Sequence, residues 1–260
     1  MVLICSRVLL AAKTIDILPL IHQNIVHHPT FRVAMMQKKQ FMISSLLAIV
    51  CVAWINSKSF AEPANLASHK VEIKQYYTSG AYDNDLKSIT QQAEKDLTQA
   101  VQANELLEQP EKLAIVLDVD ETSVSNYKRM VRRDFSTSHK FIDQDVLAAE
   151  ALAIKPIYDL YKHALAHKVA VFFITGRPES FRVATETNLV KSGYVHWKGL
   201  YLKPNSYNNA SNIPFKSATR ARIERQGYKI VANLGDQRSD LTGGHALHSY
   251  KLPNVCYFVA

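Results

Sequence analysis

The chain predicts an α/β protein: a central parallel sheet flanked by helices, in the Rossmann-like manner. Two observations carry that expectation. From about residue 70 onward, short apolar runs alternate with stretches of helical periodicity, which is the pattern of strands linked by crossover helices. Three of those runs also stop abruptly at a polar cluster, as strands do when their ends open onto a site.

Residues 70–109 read as helix, because Leu86, Ile89, Ala93, Leu97, Ala100, Val101 and Leu106 recur at spacings of about three and four with Lys, Gln and Glu between them. Pro110 closes that segment. The run Leu113-Ala-Ile-Val-Leu117 follows as a buried strand leading into Asp118–Asp120, then a polar, basic and aromatic stretch from Asn126 to Lys140, then a helix from Asp143 to Ala166. A second strand, Val169–Ile174, ends at Thr175-Gly-Arg-Pro178 and leads into a helical pattern reaching Lys191. Short strands are expected at Gly199–Leu202 and Lys229–Leu234, with a helix from Phe215 to Gln226 between them and a final strand at Val255–Val259. The chain contains neither an internal repeat nor a low-complexity linker.

Asp118-Val-Asp120-Glu-Thr122 is the most informative segment. Residues two apart on a strand share a face, so these carboxylates repel each other unless a cation sits between them or the chain bends. A hard divalent ion such as Mg²⁺ suits clustered carboxylate oxygens. Taken alone, the same residues also describe a strand running into a helix capped by Asp120 or Thr122. Position separates the two. Ligands of such sheets bind beyond the carboxyl ends of the strands, and Asp118/Asp120, Thr175/Gly176 and Gly235/Asp236 each end an apolar run. Three strands therefore direct polar residues at one crevice.

With 260 residues, 47% of them hydrophobic and 21% charged, the chain has the composition of a folded domain. Its formal charge of +8 is misleading, since residues 1–61 hold six of the 31 Lys/Arg and one of the 23 Asp/Glu, which leaves 25 against 22 in residues 62–260. That balance argues against a nucleic-acid-binding stripe. Residues 35–61 have the layout of a secretory signal: a basic start at Met35-Met-Gln-Lys-Lys39, an apolar stretch from Phe41 to Ile55, and Ser59-Phe-Ala61 placing small residues for cleavage after Ala61. The apolar stretch falls short of the ~20 residues that span a bilayer, so no stable membrane anchor is expected and the product is read as periplasmic or secreted. Residues 1–34, upstream of that signal, are expected to be an untranslated or disordered extension. Of Cys5, Cys51 and Cys256, the processed chain would keep only Cys256, so residues 62–260 must hold together by their core.

These motifs resemble the haloacid dehalogenase-like (HAD) superfamily, within it the acid phosphatase branch that includes class B and class C acid phosphatases and vegetative storage proteins. The resemblance rests on Asp118-Val-Asp120-Glu-Thr122, on Thr175 in Phe173-Ile-Thr-Gly-Arg, on a lysine in Pro214-Phe-Lys216-Ser, and on Gly235-Asp-Gln-Arg-Ser-Asp240, with Lys251-Leu-Pro-Asn254 beyond. It implies a HAD fold with a small helical cap inserted at about residues 123–168. It further implies that Asp118 is the nucleophile and Asp120 the general acid and base. Mg²⁺ would be held by Asp118, the Asp120 carbonyl, Asp236 and Asp240. Thr175, the Gly176 amide and Lys216 would bind the phosphoryl oxygens, although Lys203 also follows a strand-like run and competes for the lysine role.

The function implied is an exported, Mg²⁺-dependent acid phosphatase acting on small phosphomonoesters, nucleoside 5′-monophosphates among them, through an aspartyl-phosphate. A phosphotransferase of the same fold and a weakly active storage or binding protein are the alternatives. Tyr127 and Phe135 fall where the cap is expected and are candidates to stack on a substrate ring.

Overall fold

The structure is a computed structural model that describes residues 65–259. The extension expected at 1–34 and the signal peptide at 35–61, with its cleavage after Ala61, lie outside the described residues. Helices α1 (Leu66–Thr78) and α2 (Ala81–Glu105) lead into β1 (Lys112–Leu117). An insertion carries β2 (Val124–Ser125), α3 (Tyr127–Arg132), α4 (His139–Ala148) and β3 (Leu152–Ala153). The remaining elements are α5 (Lys155–Ala166), β4 (Ala170–Pro178), α6 (Arg182–Lys191), β5 (Gly199–Lys203), α7 (Ile213–Arg225), β6 (Tyr228–Gly235), α8 (Arg238–Leu241) and β7 (His248–Lys251).

The five-stranded sheet runs β5-β4-β1-β6-β7, and its pairings are parallel throughout. Alternation along β1 explains why both faces need helices. Leu113, Ile115 and Leu117 join Leu86 and Leu97 of α2 and Ile157 and Leu160 of α5 in one core, whereas Ala114 and Val116 join Ile223 of α7 in the other. After β1 the chain crosses to β4 and β5, then returns to the other side of β1 for β6 and β7. The carboxyl ends of β4, β1 and β6 are thus adjacent where the strand order turns back, which is where such sheets form a crevice.

Four expected boundaries differ, each for a local reason. The helix expected over 70–109 is two helices, because Gly80 takes φ 83, a left-handed conformation that ends α1, and Tyr76 Oη donates to Asp85 across the break (2.6 Å). The helix expected over 143–166 is also two: Ala149 is left-handed (φ 48), and Pro156, which a continuous helix would not tolerate, stands at the start of α5 instead. Because α5 packs into the main core, the insertion is shorter than expected and is closed by the antiparallel β2–β3 pair. Finally, the last strand is His248–Lys251 rather than Val255–Val259. Leu252 N–H makes a last bond to Gly235 O (2.9 Å), Pro253 brings no donor, and the Asn254 side chain takes the N–H groups of Cys256 and Tyr257 that a ladder would need. Among the described residues no helix is long and apolar enough to cross a membrane.

Arg220 fastens the loop after α8. Fully buried, it donates to the carbonyls of Asp240 (2.6 Å), Thr242 (2.6 Å) and Gly244 (2.8 Å). An Arg220→Met substitution fills the space but removes all three of these bonds, leaving Asp240 O with the Asn233 Nδ2 donor (3.0 Å), so denaturant unfolding should show a loss of roughly 2–4 kcal/mol, given ~0.5–1.5 kcal/mol net for each hydrogen bond lost.

Candidate active site

Asp118 stands one residue past β1, its N–H donating to Leu234 O on β6 (3.0 Å), so the sheet itself sets the position of the carboxylate. Lys216, in the first turn of α7, reaches under the sheet edge and donates to Asp118 Oδ1 (2.6 Å) and Asp240 Oδ1 (2.5 Å). Burial works against its ammonium, but the two carboxylates hold its pKa above the ordinary lysine value. Lys203, the competing lysine, turns to Asn212 Oδ1 (3.1 Å) and lines the crevice above.

Asp236 follows β6, and Asp240 sits in α8, where Gln237 N–H donates to Asp240 Oδ2 (2.8 Å) as half of a capping box. A Cβ on Gly235 would lie 2.2 Å from Asp240 Cβ, so only glycine lets the strand end approach α8 this closely. Asp118, Asp236 and Asp240 are buried and offer one carboxylate oxygen each within 4.8 Å of one another. Burial pushes Asp118 and Asp236 above the usual carboxylate range, the neighbouring carboxylates add to this, and Lys216 opposes it. When ionised, the three carboxylates against one ammonium leave two negative charges, and the donors are all hard oxygens. The set fits a divalent cation.

The carboxylate of Asp120 points away from that cluster. Arg177 donates to it through Nε (to Oδ2, 2.8 Å) and Nη2 (to Oδ1, 2.6 Å), and Asn126 Nδ2 donates to Oδ1 (2.8 Å). Burial opposes the charge, yet the Arg177 fork holds Asp120 below the usual carboxylate range. The side chain therefore cannot also close the cation cluster, which leaves the backbone carbonyl as this residue's route to a metal.

Thr175 is buried in β4 and its Oγ1 accepts Arg177 N–H (3.1 Å). Beside it Gly176 abuts Asn212, whose Nδ2 would lie 2.8 Å from any added Cβ. Asp118, Asp120, Thr175, Gly176, Lys216, Asp236 and Asp240 all line one crevice of about 840 Å³. Phe135, Met130 and Ile142 of the insertion roof it. Tyr127 does not line it, and one face of its ring is stacked on Tyr77 (centroids 3.7 Å apart, planes 10°).

Four contributors went unassigned from the sequence alone: Arg177, Glu121, Gln237 and Asn254. All four stood inside the quoted motifs, but only the fold shows which groups each one meets. Glu121 is buried at φ 50 and accepts from Asn126 N–H (2.5 Å) and Tyr257 Oη (2.8 Å). Burial first, then the charges of Asp120 and Asp236, push its carboxyl up to about 8.

Comparison with known proteins identifies the family. Residues 37–260 match the HAD superfamily, subfamily IIIB (acid phosphatase), and the chain belongs to that family. It is similar to the stem 28 kDa glycoprotein of Glycine max, 32% identical over 192 residues, which cover 72% of this chain and 73% of that protein. It is also similar to acid phosphatase 1 of Solanum lycopersicum, 32% identical over 154 residues, covering 55% and 58%. The solved class C acid phosphatase of Bacillus anthracis shares the fold, with a TM-score of 0.52 at 24% identity over 68% of this chain and 71% of that one. The chain is thus an acid phosphatase, a phosphoric monoester hydrolase.

Glu121, Asp118 and Asp236 give the cation-free protein a defined pH response. Their folded pKa values lie above the unfolded ones, so the folded state binds more protons and stability falls as pH rises, for Glu121 between about 4.5 and about 8. In chelator, the denaturation midpoint should be higher at pH 5 than at pH 8. Glu121→Gln should flatten that difference; an unchanged slope would show that Glu121 is ionised throughout.

Proposed function

We propose that the protein is an exported, Mg²⁺-dependent phosphatase that hydrolyses small phosphomonoesters through an aspartyl-phosphate on Asp118. The observation that carries this reading is the Lys216 bridge between Asp118 and Asp240, because it presents an anionic nucleophile beside a fixed cation at the edge of the Asp118/Asp236/Asp240 cluster. Mg²⁺ would be held by those three carboxylates and the Asp120 carbonyl. When bound, it offsets the repulsion between an anionic nucleophile and an anionic phosphate.

Thr175, the Gly176 N–H and Lys216 hold the phosphoryl oxygens while an Asp118 oxygen forms a bond to phosphorus and the bond to the leaving oxygen breaks. Asp120 gives its proton to that oxygen, then takes one from the water whose oxygen attacks the acyl phosphate, freeing Asp118 and inorganic phosphate. As paired with Arg177, Asp120 stands ready for the base half of this cycle. The acid half needs its pKa to rise, and the phosphoryl anion arriving beside it acts in that direction. Acidic pH favours that protonated form. Retention of Asp118 speaks against a storage protein that merely keeps the fold.

Turnover should vanish in Asp118→Asn and fall by ~10²–10⁴-fold in Asp120→Asn, the usual cost of losing proton transfer. Both proteins should remain folded. Assays of aryl phosphates, nucleoside 5′-monophosphates and diesters over pH 4–9, with Mg²⁺ or chelator, test this directly. Near-normal hydrolysis by folded Asp118→Asn would refute the mechanism, and preference for diesters would refute the substrate class.

Export is argued from residues 35–61. The secreted product should begin at Glu62, which intact mass decides; retention of 36–61, or lipid on Cys51, would refute that reading.

A further inference from the structure

Beyond β7 the chain crosses the mouth of the site as a strap, residues 252–259, instead of adding a strand. Asn254 Nδ2 donates to Asp236 Oδ2 (2.7 Å), and Gln237 Nε2 donates to the same oxygen (2.6 Å). The other end of the Asn254 amide is also engaged, its Oδ1 accepting from Cys256 N–H (2.8 Å) and Tyr257 N–H (3.3 Å). Rotating that amide would set oxygen against oxygen and strand two N–H groups, so its direction is determined. Two further bonds fasten the strap: Tyr257 Oη to Glu121 Oε2 (2.8 Å) and Val259 N–H to Gln237 Oε1 (3.0 Å). Its anchors are thus the residue after Asp120 and the two residues after Gly235.

We propose that Asn254 is a positioning residue for the cation site, its side-chain amide fixing Asp236 in the orientation that receives a divalent ion. This inference rests on the metal-dependent reading above. Both amide donors fall on Oδ2, whereas Oδ1 has only a long bond from Thr122 Oγ1 (3.3 Å). Oδ1 is therefore the oxygen left for the ion. Held this way, Asp236 loses little freedom when the ion arrives, and outer partners of metal ligands commonly contribute ~10–100-fold to affinity on that ground. By linkage the effect is mutual: an ion that needs Asp236 in this orientation stabilises the strap that supplies it.

Asn254→Ser tests the proposal in the full chain. Serine keeps a short oxygen acceptor for the strap's N–H groups but cannot reach Asp236. Calorimetric titration with Mg²⁺ alone, without substrate, should show the dissociation constant rising at least ~10-fold, while saturating Mg²⁺ restores kcat to within a few-fold of the parent. A purely structural role for Asn254 would lower kcat in a way that Mg²⁺ cannot restore, and that result overturns the proposal. So does an unchanged dissociation constant. Should the variant fail to fold, the parent suffices: Mg²⁺ should slow hydrogen exchange at the Cys256 and Tyr257 amides, and unchanged exchange refutes the coupling. If the parent binds no Mg²⁺, the metal-dependent reading falls and this inference with it, whereas equal binding by parent and variant removes this inference alone.

Discussion

Excess negative charge at the carboxyl edge of the sheet is the constraint around which this structure is organised. Asp118, Glu121, Asp236 and Asp240 are buried and Asp120 half-buried within one crevice, and isolated burial of even one ionised carboxylate is unfavourable by several kcal/mol. Each is answered differently. Asp120 has a full guanidinium fork, burial pushes the Glu121 carboxyl up to about 8, and Lys216 is shared by Asp118 and Asp240. What remains unbalanced is localised on the cluster where a divalent ion fits. The charge is thus partitioned: one part is neutralised by the protein's own groups, and the part left over lies on the three carboxylates that could hold a divalent cation.

The sheet order makes that partition possible. Because β4, β1 and β6 are neighbours, the residues ending them face one another without help from long loops. The two cations come from different elements. Arg177 rides at the end of β4 and reaches Asp120, and Lys216 comes from the first turn of α7 and reaches Asp118.

Much of this was legible in the residues themselves. The continuous apolar runs of β1, β4 and β6 are what strands buried on both faces look like, and the polar clusters ending them mark the crevice. Elements read by periodicity alone fared less well at their boundaries. The breaks at Gly80 and Ala149 are set by backbone conformation, which apolar periodicity does not report. Val255–Val259 has strand composition, yet the chain leaves the ladder at Pro253 because a side chain, Asn254, competes for its N–H groups. Long-range pairing was the least visible of all. Arg177 could be read as part of a turn and Tyr127 as part of a binding surface, until the fold supplied Asp120 for the one and Tyr77 for the other.

A strand carrying Asp118 and Asp120 must either place a cation between them or bend, and the chain does the second so that the first can be achieved elsewhere. Beyond Val119 the backbone folds over: Val119 O accepts Ser123 N–H (2.9 Å) and Val124 N–H (3.0 Å), Ser123 Oγ donates to Asp118 O (2.6 Å), and Glu121 N–H donates to Val124 O (2.8 Å). This turn forces Glu121 to φ 50, a conformation that non-glycine residues enter at a cost of order 1–3 kcal/mol. The Glu121 side chain offsets that cost by accepting from Asn126 and Tyr257. The bend turns the Asp120 carboxylate toward Arg177 and away from Asp118, so that one carboxylate stays with Asp236 and Asp240 and the other pairs with the guanidinium, a separation that a straight strand would not allow.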